Sequence, residues 1–432
     1  MDNINYIRHQ LTTVGDPAIF DNIAKKYQPY DKVKKLQDYL WEVTINKDTP
    51  IEYVYSEHVY EKYFNFGKCT SVRSGDWYVR NLDWFYNNNT DVIFLVEGND
   101  DRYASVSVAS ASDFISDESL WNSIKPETFR VMHAGIVDGI NEKGLACNTN
   151  VAPNNGTGLS LKGTNPGKPN MCATMVLRYA LDKCANVREV EDLLNSYNIW
   201  FTDDFGGYEV HWMFADNNET LVVECIDGEL KFMYDKECAD YGWAEKLAVM
   251  TNFHLYDTHL VEGQMVRGNA DGTSSPSNIE ALGSGVERYN IALNGSNNMS
   301  SLNECMDLAD DLHYDNAYVY LKEENENDPW YTEFVGGRKQ GGGIVTSYST
   351  EDEYKNATMT DPATGEQINM LDAMIDAYNN NTRDDYDDDT KIKTWTTTHT
   401  TVFDIPGKII YVRGQSVDGE RFIYQYSLTE DE

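Results

Sequence analysis

Hydrophobic and polar positions follow two different patterns on either side of Cys69. In residues 1–68, apolar side chains recur at roughly helical spacing with charged residues between them, as at Ile19, Ile23, Tyr27, Val33, Leu36 and Leu40. After Cys69, short apolar runs are separated by Gly, Asn and Asp turns, which predicts strands. No glycine- or proline-rich linker divides the two regions. We therefore expect a mostly helical N-terminal segment that packs on a strand-rich body.

Strands and helices are predicted in separate blocks along this body. The first strands form a hairpin that turns at Ser74-Gly75-Asp76, and the run 138–143 is expected to be the turn of a later hairpin. Further strands and helices are predicted, in chain order, at 92–96, 104–108, 173–182, 187–197, 211–215, 220–224, 286–294, 300–312, 398–404 and 408–413, with a long loop at 263–285. Such blocks favour an antiparallel α+β fold with helices on its outer faces over a doubly wound parallel sheet.

Charge and composition narrow the class of partner. The 432 residues carry a formal net charge of −36, and a field of that sign repels phosphate, which argues against nucleic acid as a partner. The 41% of hydrophobic residues suffices for a sizeable core. Since the chain shows neither an N-terminal apolar segment nor an apolar run of transmembrane length, we expect a cytoplasmic protein without a membrane span. Homo-oligomerisation is left open.

The cysteines and histidines give no metal signature. The seven cysteines are scattered, odd in number and free of any CxxC pair, so neither a common zinc motif nor a disulfide framework is expected. His133 and His211 fall on apolar strands and are interpreted as core residues, while His254 and His399 have no metal-ligand spacing. The prediction is that the protein binds no metal and no cofactor.

Cys69 is the strongest candidate for chemistry. It begins one strand of the first hairpin, and Arg80-Asn81-Leu82-Asp83 ends the other, so the two ends lie side by side in an antiparallel pair. Arg80 can then lower the pKa of the thiol, and Asp83 can orient a nearby donor. A nucleophile, a cation and a carboxylate on one hairpin form a unit suited to covalent catalysis. The alternatives are an inert buried thiol and a surface ion pair.

The same residues begin a resemblance to a known family. The run Cys-Thr-Ser at 69–71, followed by Gly-Asp-Trp-Tyr-Val-Arg-Asn-Leu-Asp-Trp at 75–84, resembles the start of the mature chain in linear-amide hydrolases of the N-terminal-nucleophile superfamily, the choloylglycine hydrolases and acid ceramidase-like amidases. Segments similar to family motifs follow in order at 138–145, 184–190, 211–224, 250–252 and 400–413. The resemblance thus extends over essentially all of 69–413.

This resemblance implies a four-layer αββα sandwich, the N-terminal-nucleophile hydrolase fold, in residues 69–432, with residues 1–68 as a pro-segment. Cys69 would supply its sulfur as nucleophile and its free α-amino group as general base. An α-amine has a pKa of about 8 and can accept the thiol proton near neutral pH, whereas a backbone amide nitrogen cannot. The Lys68–Cys69 bond must therefore be cut first, which acid ceramidase-like members do autocatalytically.

The resemblance also carries roles over to other residues. Arg80 would lie beside the nucleophile, Asp83 would bind the α-amine, Asn252 would help hold the oxyanion, and Arg288 would support the site. Asn252 could instead be a turn residue that ends a strand, and Arg288 could be an ordinary solvated charge on a helix.

The second oxyanion donor stays open between Asn148 and Asn150, of which Asn150 is preferred because the loop after it matches the family better. The implied substrate is a small-molecule N-acyl amide, and the sequence does not choose among bile-salt conjugates, penicillin V and other acyl amides. The negative charge disfavours anionic conjugates. Because fold does not establish function, two alternatives remain: a non-catalytic protein with an uncut chain, and an acyltransferase.

Overall fold

The computed structural model describes the protein in a series of separate stretches. These are residues 32–37, 40–48, 68–85, 91–110, 133, 135–153, 165–200, 208–226, 228–237, 246–256, 258–261, 264–267, 285–313, 315–319, 338–340, 343–345, 358–360, 367–369, 392–414 and 422–429. Predictions that fall elsewhere, such as the helical pattern from Ile19 to Tyr27, lie outside the described residues.

Strands dominate the described part of the chain. In chain order they are β1 (Lys32–Gln37), β2 (Leu40–Ile45), β3 (Lys68–Ser74), β4 (Trp77–Phe85), β5 (Asp91–Val96), β6 (Ser105–Ser110), β7 (Asp138–Asn141), β8 (Ala146–Pro153), β9 (Asn170–Cys172), β10 (Asn198–Trp200), β11 (Tyr208–Ala215), β12 (Thr220–Ile226), β13 (Glu229–Tyr234), β14 (Val249–Met250), β15 (Thr258–Val261), β16 (Gln264–Arg267), β17 (Asp315–Val319), β18 (Arg338–Gln340), β19 (Gly343–Val345), β20 (Thr358–Thr360), β21 (Gln367–Asn369), β22 (Ile392–Asp404), β23 (Ile409–Gly414) and β24 (Ile423–Ser427). The α-helices are α1 (Val176–Lys183), α2 (Val187–Asn195), α3 (Gly285–Ser296) and α4 (Leu302–Asp311).

Two large sheets form the centre of the molecule. The first has nine strands in the order β1-β2-β5-β6-β7-β8-β11-β12-β13, and its neighbours are antiparallel except for the parallel pair β2–β5. The second has the order β14-β3-β4-β22-β23-β24, with β17 also paired to β22. Four short strand pairs complete the described topology: β9–β10, β15–β16, β18–β19 and β20–β21.

Two buried apolar clusters show how the sheets and helices are layered. One joins helices α1 and α2 to the outer face of the first sheet, through residues such as Leu177, Val190 and Trp212. The other lies between the two sheets and beneath helices α3 and α4, and it includes Val72 and Tyr289. The order is therefore helices, sheet, sheet, helices. The predicted α+β class and the four-layer αββα sandwich are confirmed.

Helix α2 begins where the sequence supplies a cap. Asn186 accepts hydrogen bonds from the backbone N–H groups of Arg188 and Glu189, both at 3.1 Å. Glu189 in turn accepts from the Ala185 N–H at 2.7 Å. The two bonds to Asn186 satisfy donors that the first helical turn leaves free, and the bond to Glu189 holds the residue before the cap in place. It fixes the start of the helix at Val187.

The N-terminal segment differs from the prediction where the structure describes it. Val33, Leu36 and Leu40 lie on strands β1 and β2 instead of on a helix. The sequence of β2, Leu-Trp-Glu-Val-Thr-Ile, is rich in β-branched and aromatic residues, and it pairs along its whole length with β5. Tertiary pairing therefore overrides the helix-like spacing. Part of residues 1–68 is built into the first sheet.

Two shorter predictions also change. The run 138–143 was expected as a turn, but Asp138–Asn141 is strand β7 and the turn follows it, with Gly144 at a φ of 85°. A turn of this kind needs the positive φ that glycine adopts without strain. Part of the expected loop 263–285 is strand β16. The helices and the other predicted strands are found within a few residues of their expected positions.

Gly139 on β7 is closely packed between the first sheet and helix α1. A Cβ atom at this position would lie 2.7 Å from Leu181 Cδ1, 2.8 Å from Ser107 Cβ and 2.8 Å from the Val106 carbonyl oxygen. We expect Gly139→Ala to lower the free energy of unfolding by about 1–3 kcal/mol through overpacking. Urea denaturation followed by circular dichroism measures the change. Gly167→Ala, where the nearest atom is Asn165 Oδ1 at 3.3 Å, is the control, and equal stability of the two variants would contradict the prediction.

Candidate active site

Cys69 lies where the second sheet faces the first. It is the second residue of β3, pairs with Leu82 on β4, and is 2% exposed. Lys68 pairs with Asp83, so the bond before Cys69 runs beside the end of the Arg-Asn-Leu-Asp tetrad. The predicted hairpin register is thus present. It brings Cys69, Arg80 and Asp83 together.

The sulfur of Cys69 is in contact with a buried guanidinium. Arg80 Nη2 lies 3.4 Å from Cys69 Sγ and 3.4 Å from the Thr149 carbonyl oxygen. The Arg80 side chain is fully buried, and its Nη1 lies 3.1 Å from Asp138 Oδ2. A cation against the sulfur stabilises a thiolate relative to a thiol. Arg80 thus lies beside Cys69, as the sequence predicted, and the roles of the two residues stay predictions.

The backbone of Cys69 is held by Asn252 and Arg288. The Cys69 N–H donates to Asn252 Oδ1 at 2.9 Å, and the Cys69 carbonyl accepts from Arg288 Nη1. Arg288 also donates to Thr70 Oγ1 at 2.6 Å and to Asn252 Oδ1. The fully buried Arg288 is therefore no solvated helix charge. It links helix α3 directly to the residue proposed as nucleophile.

Asp83 completes this contact set from the end of β4. Its Oδ1 accepts from Thr397 Oγ1 at 2.7 Å, and its Oδ2 lies 3.8 Å from Arg288 Nη1. The hydrogen-bond acceptor seen at the Cys69 nitrogen is Asn252. The roles of Asp83 as amine ligand and Asn252 as oxyanion donor stay predictions.

The two candidate oxyanion donors on β8 differ in how many amide hydrogens they have left. Asn148 Nδ2 donates to Ser71 Oγ and to Asn150 Oδ1, both at 2.7 Å, which uses both of its hydrogens. Asn150 Nδ2 donates to the Met250 carbonyl at 2.9 Å, which uses one. Asn252 Nδ2 likewise uses one hydrogen, on the Val151 carbonyl at 2.6 Å. Asn150 and Asn252 each have an amide hydrogen beyond these bonds, which favours Asn150 over Asn148.

A buried row of charges extends from Arg80 away from Cys69, and the sequence did not reveal it. His399 on β22 lies between Asp138 Oδ2, 2.9 Å from its Nε2, and Asp91 Oδ1, 3.1 Å from its Nδ1. Burial alone would lower the pKa of His399, but the two carboxylates outweigh it and raise the pKa to about 9. His399 is therefore charged at neutral pH. The sequence signal that could have pointed to this row was His399, a polar residue within a predicted strand. It has no metal-ligand spacing that would have explained it otherwise.

His399 should make the stability of the protein depend on pH. Since its pKa is raised from 6.5 to about 9 by folding, its contribution is complete below pH 6.5 and is lost as pH rises toward 9. The loss should be on the order of 3 kcal/mol. Urea unfolding at several pH values between 6 and 10 measures it. The His399→Gln variant should lack most of this slope, and a slope equal to that of the wild type would contradict the assignment.

A second buried pair supports the turn that contains Asn252. His211 Nδ1 lies 2.9 Å from Glu224 Oε1, and His211 Nε2 lies 2.9 Å from the Thr251 carbonyl oxygen. Glu224 also accepts from the N–H groups of Leu255 and Tyr256, at 2.8 Å and 2.9 Å. Burial alone would raise the pKa of Glu224, but its histidine partners hold it well below the usual range. The pair holds residues 251–256 against the first sheet.

The same place contains a group that could offer metal ligands. One ligand atom from each of His211, Glu224 and His254 lies within 4.8 Å of the others. However, both ring nitrogens of His211 already face oxygen atoms of the protein, Glu224 Oε1 and the Thr251 carbonyl. Hydrogen bonding within the protein accounts for the placement of His211 and Glu224. The predicted core role of His211 agrees with its burial, and the expectation of no metal stays a prediction.

Part of the chain that contains this site matches the model of a known family. Residues 69–268 match the model of the linear amide C–N hydrolases, choloylglycine hydrolase family, and the match begins at Cys69 itself. The resemblance predicted from the sequence is confirmed as a match to that family's model, and the family's members are hydrolases of carbon–nitrogen bonds other than peptide bonds. No curated protein sequence matches the chain significantly.

Two solved structures show a distant similarity to this chain. A penicillin V acylase from Agrobacterium tumefaciens is 13% identical, with 83% of this chain and 86% of that chain covered and a TM-score of 0.38. A variant of the conjugated bile acid hydrolase from Clostridium perfringens is 15% identical, with 84% and 98% covered and a TM-score of 0.34. At these scores, the likeness to the family rests on the match of residues 69–268. Among the described residues, no helix is long and apolar enough to cross a membrane.

Proposed function

We propose that this protein is cleaved at the Lys68–Cys69 bond and that Cys69 then hydrolyses a linear N-acyl amide through an acyl-cysteine intermediate. One observation carries the proposal: each polar atom of Cys69 is held by a different buried side chain. The sulfur contacts Arg80, the nitrogen donates to Asn252, and the carbonyl accepts from Arg288. A cysteine that only fills space in a core does not need these partners.

The first step would free the N-terminus. Cys69 Sγ attacks the Lys68 carbonyl carbon, the Lys68–Cys69 C–N bond breaks, and the thiol proton passes to the leaving nitrogen. Water then hydrolyses the thioester, which releases the Lys68 carboxylate and leaves Cys69 with a free α-amine. Part of the segment that precedes Cys69 lies in the first sheet, as strands β1 and β2, so it would stay docked after the cut.

The second reaction would use both functional groups of the new terminus. The α-amine takes the thiol proton, the sulfur attacks the substrate carbonyl, and the amine returns the proton to the leaving nitrogen. Water, activated by the same amine, then releases the acid. The nitrogen that donates to Asn252 Oδ1 in the uncut chain becomes this amine, so Asn252 would hold it with its lone pair free to face the thiol.

Charge and hydrogen-bond donors would stabilise the intermediates. Arg80 supports the thiolate through its contact with the sulfur. The remaining amide hydrogens of Asn150 and Asn252 are the candidate oxyanion donors, each worth roughly 3–4 kcal/mol in the barrier. Arg288 connects Asp83 to Cys69 and keeps the backbone of the nucleophile in place.

The substrate is proposed to be a linear N-acyl amide, as the family match suggests. The experiment is product analysis with a panel of phenoxyacetyl, bile-acid and long-chain fatty-acyl amides, in parallel with Cys69→Ala. Release of free acid and amine by the wild type alone supports hydrolysis. If an added second amine becomes acylated in place of water, the protein is an acyltransferase. Absence of both products with every amide would contradict the proposal.

A further inference from the structure

Four charged side chains form a continuous buried row that ends at the sulfur of Cys69. Asp91 Oδ1 lies 3.1 Å from His399 Nδ1, His399 Nε2 lies 2.9 Å from Asp138 Oδ2, and Asp138 Oδ2 lies 3.1 Å from Arg80 Nη1. Arg80 Nη2 then lies 3.4 Å from Cys69 Sγ. The row crosses both sheets, from β5 through β22 and β7 to β4. The side chains of all four are at most 1% exposed.

Both ring nitrogens of His399 face carboxylate oxygens. A neutral imidazole carries one N–H, so one of its lone pairs would point at an anion. Arg80 Nη1 also lies 3.0 Å from His399 Nε2. Asp138 Oδ2 lies within hydrogen-bond distance of both Arg80 Nη1 and His399 Nε2, at 3.1 Å and 2.9 Å. If His399 is protonated, Asp138 Oδ2 accepts from both Arg80 and His399, and no ring lone pair points at a carboxylate. His399 is therefore assigned as the imidazolium.

The buried carboxylate of Asp91 favours the charged form of His399. Neither oxygen of the buried Asp91 carboxylate has a hydrogen-bond partner among the described residues that satisfies ordinary geometry. Among the described residues, the His399 ring lies in ion-pair distance of this carboxylate, with Nδ1 3.1 Å from Asp91 Oδ1. An unpaired buried carboxylate is costly, so the ion pair offsets a penalty that Asp91 would otherwise impose on the fold.

The net charge of the row affects the electrostatic potential at the Cys69 sulfur. With His399 protonated, two cations face two carboxylates and the row is neutral. With His399 neutral, the row would carry one net negative charge beside a sulfur that must itself become an anion. A like charge nearby disfavours the thiolate. When His399 is protonated, the two carboxylates are balanced by two cations, and the positive charge of Arg80 can stabilise a Cys69 thiolate.

We infer that His399 and Asp91 are positioning residues, which act through Asp138 and Arg80 to set the charge felt by the Cys69 sulfur. The importance of this row rests on the proposed function, because a nucleophilic Cys69 is what makes the charge matter. Neither residue touches Cys69 in the contacts described above. Their effect is therefore separable from chemistry on the substrate.

The experiment is the pH dependence of alkylation of Cys69 by iodoacetamide in the full chain, read for that cysteine by peptide mass spectrometry. The variants are His399→Gln, Asp91→Asn and the double variant. His399→Gln should slow alkylation about tenfold at neutral pH and move the profile up by about one pH unit, since one unit of pKa is a factor of ten. Asp91→Asn should not move the profile upward. The double variant restores the charge balance and should return to within about threefold of the wild type.

Three outcomes would overturn the inference: an unchanged profile in His399→Gln, a double variant as slow as His399→Gln, or an upward shift in Asp91→Asn. If His399→Gln does not fold, as judged by circular dichroism, the other two variants still decide.

Alkylation of Cys69 requires no amide substrate, so the inference and the proposed function can fail separately. If the shifts occur but no amide is hydrolysed, the proposed function fails and the charge row stands. If amides are hydrolysed without the shifts, the row fails alone.

Discussion

Replacement of Cys69 by alanine is expected to abolish both chain cleavage and amide hydrolysis. The variant removes the sulfur atom that is proposed to attack the carbonyl, so the rate of amine release should fall by at least about 10⁴-fold. The fold should persist, because the side chain is small and the strand pairing of β3 does not depend on the thiol. Intact mass spectrometry and an amine-release assay with the best amide of the panel measure the two effects.

The matched control is Cys305→Ala. Cys305 is also buried, on helix α4 in the core under the second sheet, and its thiol has a pKa raised to about 12 by burial and by Glu304. A thiol of this kind stays protonated and unreactive. The control should be cut and active like the wild type. Retained cleavage in Cys69→Ala would show that another residue or another protein cuts the chain, and retained hydrolysis would show that Cys69 is not the nucleophile.

Replacement of Arg288 by methionine is expected to cost both stability and activity. Arg288 is fully buried and joins Cys69, Thr70, Asn252 and Asp83. Methionine fills a similar volume but leaves the buried Asp83 carboxylate without this cation, which should lower the free energy of unfolding by about 3–5 kcal/mol. The loosened backbone of Cys69 should also lower the rate of chain cleavage. Urea denaturation and a time course of intact mass measure the two effects.

Arg188→Met serves as the control for this substitution. Arg188 forms a bidentate ion pair with Glu219 at 2.7 Å, but its side chain is 47% exposed. An exposed pair contributes about 0–1 kcal/mol, so the same change should have little effect there. If the two variants lose equal stability, or if Arg288→Met is cut at the wild-type rate, the structural role given to Arg288 is wrong.

The first hairpin shows how much of the site local sequence can determine. The turn Ser74-Gly75-Asp76, with Gly75 at a φ of 56°, sets the register that places Cys69 opposite Leu82 and next to Arg80. Turn chemistry and strand alternation are local, so the sequence carries them. Asn252 and Arg288 also lie where they were expected, but 183 and 219 residues from Cys69, and only the family resemblance linked them to it.

The charge row shows what the sequence could not supply. Arg80 and His399 are 319 residues apart and meet only because β4 and β22 pair in one sheet, while Asp138 comes from the other. No local pattern encodes contacts across two sheets. The helical expectation at Val33, Leu36 and Leu40 was wrong for a related reason. Apolar spacing in a short segment does not distinguish helix from strand, and pairing with β5 decided it.

The identity of the N-terminus of the active protein tests the central claim most directly. Purified wild-type protein should yield two masses under denaturing conditions, one for residues 1–68 and one for a chain that begins at Cys69, with amide hydrolysis rising as the cut chain accumulates. The decisive contrary result is a preparation that hydrolyses linear amides while only uncut chain is detected. In that case, Cys69 would have no free α-amine, and the general base would have to be another group.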